Sequence, residues 1–119
     1  MFYYTAIIYF FKRLIMNKIA IVGVNNSLGR ELLNILEENG TPADNIFAVD
    51  TNSPLGTQVS YGEDVDMDVW NLDDFDFSSV KIAVFATSEE IAKRYIPHAS
   101  AKKVMVIDCS SAYAADSDV

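Results

Sequence analysis

The stretch "KIAIVGVNNSLGRELLNILEENGTPADNIFAVD", Lys18 to Asp50, constrains the fold of this chain more than any other. Lys18 to Gly23 is an Ile- and Val-rich run that stops at a glycine, the pattern of a buried strand. Leu28, Leu32, Leu33, Ile35 and Leu36 then recur at helical spacing, which lays an apolar stripe along a helix of about three turns. Gly40 is placed to end that helix, and Thr41–Pro42 prevents its continuation. Asn45 to Asp50 reads as a second strand. A strand–helix–strand crossover of this length is right-handed, which makes its two strands parallel.

The remainder repeats the alternation. Thr51 to Gly56 is a turn-rich loop, and "TQVSYGEDVDMDVW" predicts two short strands around Gly62. Lys81 to Thr87 is another buried strand. Ser88 is a good N-cap for the helix that follows, with Glu89 and Glu90 in the first turn where the helix dipole favours negative charge. Pro97 is expected to kink that helix or end its regular part. Val104 to Asp108 is a further strand, and residues 109–119 close the chain. The class is α/β, a Rossmann-type open and mostly parallel sheet with helices on both faces. Residues 16–119 form this domain in our reading. Residues 1–15 are an apolar extension expected to lie outside the fold.

Composition narrows the partners. Half of the 119 residues are hydrophobic, enough for a packed core, while the net charge of −8 argues against a nucleic-acid surface built from clustered Lys and Arg. The acidic stretch Gly62 to Asp76 is expected to be a solvated face rather than a divalent-metal loop, since its spacing matches no such loop. The single cysteine, Cys109, excludes a disulfide within the chain and suits a cytoplasmic location; a small buried thiol at a strand end is its expected role. His98, the single histidine, falls on a helix without a Cys/His cluster and is expected to be a surface or packing residue rather than a ligand. The extension is apolar from Phe2 to Phe11 apart from Thr5, too short for a membrane span of about 20 residues, and its positive charge follows the apolar run instead of preceding it as in a signal peptide. Exposed apolar surface and an open strand edge make association, including homo-oligomerisation, the expected hazard.

In sheets of this class ligands bind beyond the carboxyl ends of the strands, where the first turn opens a helix whose N-terminus attracts anions. Gly23 permits the tight turn off the strand and Gly29 permits close packing of helix on sheet. Backbone N–H groups around Ser27 and Leu28 would face a pyrophosphate. Asn26 stands where a phosphate-facing glycine is wanted; its backbone tolerates a left-handed turn, but its side chain is expected to crowd the approach. Asp50, ending the second strand, is placed to accept the ribose hydroxyls of an adenosine and to repel a 2′-phosphate.

These segments, with "PADNIFAV", "SPLGTQVSYG", "KIAVFATSEEIAKRYIP" and above all "VMVIDCSSAYAADSDV", resemble the N-terminal cofactor domain of the aspartate-semialdehyde dehydrogenase family over nearly all of Met16 to Val119. The resemblance implies the reduction of L-aspartyl 4-phosphate to aspartate 4-semialdehyde with NADPH, on the way to lysine, threonine and methionine. A cysteine thiolate takes the acyl group as a thioester, hydride reduces it, and a histidine assists proton transfer.

The departures fall at contact positions. Asn25 and Asn26 replace a Thr-Gly pair in the turn. Ser53 and Pro54 replace an Arg-Ser pair that would meet a 2′-phosphate. Ser88 follows Thr87 where the family has glycine, and Ala114 replaces an arginine that grips the substrate phosphate. The family's catalytic cysteine and histidine belong to a later segment, and Cys109 occupies a position without a nucleophile role. The expectation is a dinucleotide site made of Gly23, Asn25, Asn26, Ser27, Leu28, Gly29, Asp50, Ser53, Thr87 and Ser88. It is expected to bind weakly, with NAD favoured over NADP, and the chain alone is expected to be inactive. The alternative is a non-catalytic paralogue acting as a binding or interaction module. N-acetyl-glutamyl-phosphate reductase shares the architecture but fits "DCSSAYAADSDV" less well.

Overall fold

Strand β1, Ile19–Val22, is buried at all four positions, as a strand covered on both faces must be. The computed structural model describes residues 17–117, so the extension over residues 1–15 lies outside the described residues. Helix α1 follows over Ser27–Glu38. It closes with Gly40 N–H donating to the Glu37 carbonyl and Thr41 N–H to the Leu36 carbonyl, the paired bonds of a Schellman end. A single turn at Ala43–Asn45 leads into β2, Ile46–Asp50, one residue later than the sequence pattern suggests.

The two short strands around Gly62 are present as β3, Gln58–Tyr61, and β4, Val65–Asn71. They pair antiparallel, and β4 also pairs parallel with β2. Strand β5, Ile82–Phe85, helix α2, Glu89–Ala101, and strand β6, Met105–Asp108, complete the crossover on the other side. The six described strands form one sheet in the order β3-β4-β2-β1-β5-β6, parallel except for β3. This is the α/β architecture expected.

Alternation along the strands sorts the core into two layers. Ile19, Ile21, Ile46, Ala48 and Ile82 pack with Leu33 of α1 on one face. Ala20, Val22, Val49, Ala83 and Phe85 pack with Ala92, Tyr95 and Ala99 of α2 on the other.

One expectation narrows and another changes. Of the two outcomes expected at Pro97, an end to the helix does not occur, because α2 runs on to Ala101. Pro97 and Lys93 are both exposed, so water can serve the Lys93 carbonyl that loses its helical partner. The stretch after Cys109, read only as a chain end, forms a third helix, α3, over Ser110–Ser117. Asp108 starts it, its Oδ1 accepting from Ser110 N–H at 2.9 Å.

Candidate functional site

The carboxyl edge of the sheet gathers the ends of β1, β2, β4, β5 and β6, and the β1–α1 turn is its tightest point. Gly23 has φ +105°, and a Cβ there would stand 2.2 Å from the Ala86 carbonyl oxygen. A Cβ on Gly29 would stand 2.0 Å from the Gly23 carbonyl oxygen. Both glycines are therefore required by backbone-on-backbone contact, before any ligand is considered.

Asn26 behaves differently from expectation. Its backbone is extended, φ −99° and ψ 167°, so no left-handed turn is asked of it. Its amide is engaged at both ends. Oδ1 accepts from Gly29 N–H at 2.9 Å, capping α1, and Nδ2 donates to the Ala86 carbonyl at 2.8 Å, tying the turn to the end of β5. The side chain is a brace between the start of α1 and the end of β5. What it takes from the site is one helix N-terminal donor, the Gly29 N–H.

Asp50 is bound into the same edge. Its Oδ2 accepts from Asn25 N–H at 2.9 Å and its Oδ1 from Thr51 N–H at 2.7 Å. Oδ1 also accepts from the Thr51 hydroxyl at 3.5 Å, whereas Oδ2 holds Asn25 N–H and keeps capacity for a further donor. Asn25 Nδ2 donates to Ser53 Oγ at 3.3 Å, and Ser53 Oγ donates to the Thr51 carbonyl at 3.2 Å. Ser53 is buried while Asn25 is exposed, so this strap joins the first turn to the loop after β2. That loop, Thr51 to Gly56, carries no Lys or Arg.

The family model described as semialdehyde dehydrogenase, NAD binding domain, matches residues 18–119. The chain belongs to the semialdehyde dehydrogenase family. It is 43% identical to the aspartate-semialdehyde dehydrogenase of Rickettsia bellii over 101 residues, which cover 85% of this chain and 30% of that protein. The corresponding enzyme of Rickettsia conorii is 38% identical over 101 residues. The structure of a probable aspartate-semialdehyde dehydrogenase from Pseudomonas aeruginosa superposes with a TM-score of 0.72 at 31% identity, covering 81% of this chain and 28% of that one. The chain thus spans about 30% of the length of the curated relatives it matches. It corresponds to the N-terminal NAD-binding domain of aspartate-semialdehyde dehydrogenase, and a nicotinamide dinucleotide is the ligand class of that domain.

The remaining positions of this semialdehyde dehydrogenase domain sort by burial. Thr87 is buried, its hydroxyl donating to the Ser88 carbonyl at 3.2 Å. Ser88 is the N-cap of α2, its Oγ accepting from Ile91 N–H at 3.3 Å. Ser27 and Leu28 form the first turn of α1 beside Asn26. The structure brings Gly23, Asn25, Asn26, Gly29, Asp50 and Ser53 into one hydrogen-bonded and packed group. Asn26 links that group to Ala86, the residue before Thr87. Cys109 is half-buried rather than fully buried; desolvation first, then the charge of Asp108, pushes its thiol up. Ala114 lies exposed on α3. His98 is exposed in the last turn of α2, with its ring 6.0 Å from that of Tyr95.

One residue escaped the sequence reading. Asn71 ends β4 directly beside Asp50 in the sheet register, and its buried Oδ1 has no hydrogen-bond partner among the described residues. The available signal was its place as the last residue of a strand at the binding edge.

Proposed function

We propose that the carboxyl edge holds the adenosine diphosphate half of a nicotinamide dinucleotide, with NAD preferred over NADP and with modest affinity. The observation that carries the preference is Asp50. Its two oxygens are fixed by Asn25 and Thr51, and Oδ2 still accepts a hydroxyl donor, whereas a 2′-phosphate would meet a carboxylate and a loop without a Lys or Arg. Asn71 Oδ1, an orphaned acceptor beside Asp50, is the kind of atom that a donor of the ligand would satisfy. The residues therefore fit the group. The modest affinity follows from Asn26, which occupies a donor at the α1 N-terminus that a phosphate could otherwise use.

When bound, such a cofactor supplies or accepts hydride at its nicotinamide. The residues of this chain bind and orient: Asp50 the ribose, the α1 turn at Ser27 and Leu28 the pyrophosphate, Thr87 and Ser88 the far wall. The whole-protein reaction, reduction of an aspartyl phosphate in a cytoplasmic biosynthetic route, requires the cysteine and histidine of a later family segment, so the chain alone is inactive in our reading. Ala114, in place of a phosphate-gripping arginine, favours a second reading in which the domain serves as a non-catalytic binding module.

Calorimetric titration of the full chain with NAD and with NADP tests the first reading. Tighter NAD is expected, with the gap narrowed in Asp50→Ala. Tighter NADP would overturn it. Phosphate-dependent reduction of NAD or NADP with aspartate semialdehyde, persisting in Cys109→Ala, would overturn the inactivity.

A further inference from the structure

A second surface lies on the α2 side of the sheet and uses none of Gly23, Asn26 or Asp50. The route from β2 to β4 is the β3 hairpin, not a helix, and α2 packs on β5 and β6. Among the described residues no helix covers the face of β4 that points to this side. With a period of two, Asp66, Asp68 and Trp70 share that face, while Met67 and Val69 turn into the α1 core.

Trp70 is 51% exposed, a large apolar surface to leave in water. It belongs to a triangle of rings. Phe47 and Trp70 are 6.4 Å apart, Phe47 and Phe75 5.8 Å, and Trp70 and Phe75 6.5 Å, all mutually tilted. Beside Phe47 and Trp70, a hollow of about 300 Å³ is lined by Asp44, Asp66 and Asp68 among others. Asp68 accepts from Gln58 Nε2 at 3.1 Å and Asp66 from Ser60 Oγ at 3.5 Å. Both partners are neutral, and among the described residues neither carboxylate forms an ion pair.

The patch already attracts one cation. Lys18 Nζ lies 5.9 Å from the centroid of the Phe47 ring. Ring faces carry negative potential, and carboxylates at the rim add to it, so the chemistry is that of a receptor for ammonium or guanidinium groups on an apolar stem.

We propose that the Phe47–Trp70–Phe75 face with Asp66 and Asp68 docks an Arg- or Lys-bearing apolar segment of a partner protein. A guanidinium stacks on Trp70 while its stem covers Phe47, and the two carboxylates take its charge. The net charge of −8 steers such a segment toward the domain.

Trp70 is the single tryptophan of the chain, so its emission reports on this face. The probe is a short peptide of alternating Arg and Leu, titrated into the full chain at low salt. The control is the same peptide with citrulline in place of Arg. A saturable change in Trp70 emission is expected for the Arg peptide alone, weakened about fivefold in the exposed double variant D66N/D68N and further by added salt. Equal binding of the citrulline peptide, or unchanged affinity in D66N/D68N, overturns the proposal. So does a free-chain emission that shifts in K12A/R13A together with tighter peptide binding, which assigns the face to the chain's own Lys12–Arg13. A dimer in sedimentation that D66N/D68N abolishes would assign the face to a second copy and likewise overturn it.

Discussion

The β1–α1 turn and the loop after β2 meet at Asp50, yet they are built on opposite terms. In the turn, Gly23 and Gly29 leave less than an atom of space, and the Asn26 amide is used at both ends. In the loop, Gly56 has nothing within 4 Å of a would-be Cβ and Leu55 is fully exposed. The turn is first a structural joint, and the ligand proposed for it comes second. The loop is strapped at Ser53 but open at its tip, Leu55 and Gly56, where side chains can change without disturbing the sheet. In proteins of this class the part most easily read as a ligand motif is thus also the part least free to change.

The sharpest break in this comparison is Gly29→Ala against Gly56→Ala. The first drives a methyl group into the Gly23 carbonyl and should cost on the order of 3 kcal/mol or prevent folding, as severe overpacking does. The second meets open space but keeps φ at +97°, and should cost about 1 kcal/mol. Urea unfolding of the full chain separates them, and equal losses would dissolve the distinction.

Asn26→Gly comes next and should act in two directions. Losing the cap and leaving the Ala86 carbonyl without its partner should destabilise by about 2 kcal/mol. Releasing Gly29 N–H should tighten NAD and NADP alike. Calorimetry and denaturation on the same preparation would show both, and loss of stability with no gain in affinity would make Asn26 a brace only.

Asp50→Ala should cost about 1 kcal/mol of stability, because two backbone N–H donors in a half-exposed place return to water, while the preference for NAD shrinks. Leu55→Ser, in the open loop, should change the midpoint by less than about 0.5 kcal/mol. The smallest effect concerns Cys109. Its raised pKa lowers the thiolate fraction at any given pH, so iodoacetamide should modify it more slowly than a free cysteine near pH 8 and approach parity only above its raised pKa. Faster alkylation than the free amino acid at pH 8 would contradict the burial argument.

Much of this was legible in the sequence because it is local. The Ile- and Val-rich runs, the leucine stripe of α1 and the Ser88 cap each announce an element within a few residues, and the hairpin around Gly62 was visible in weak alternation. The role of Asn26 was not legible. Its amide bonds Ala86, sixty residues away, and nothing near Asn26 indicates that the end of β5 will lie beneath it. Asn71 was hidden for a similar reason, since its significance arises from the register that sets it beside Asp50. Pro97 does not end α2, which carries it on an exposed side. The candidate residues named from the sequence lie along one edge of the sheet, while the direction of each side chain depended on strand order.

The strand order also sets a timetable for synthesis. Strand β1 pairs with β2 on one side and with β5 on the other. When β1, α1 and β2 have left the ribosome, the second edge of β1 has no partner until Ile82–Phe85 emerges, roughly thirty residues later. At about 5–20 residues per second that interval lasts about 2–6 s. For those seconds the nascent chain displays a bare, fully apolar strand, a target for a holding chaperone, and any codon choice that slows translation between Thr51 and Lys81 prolongs the exposure.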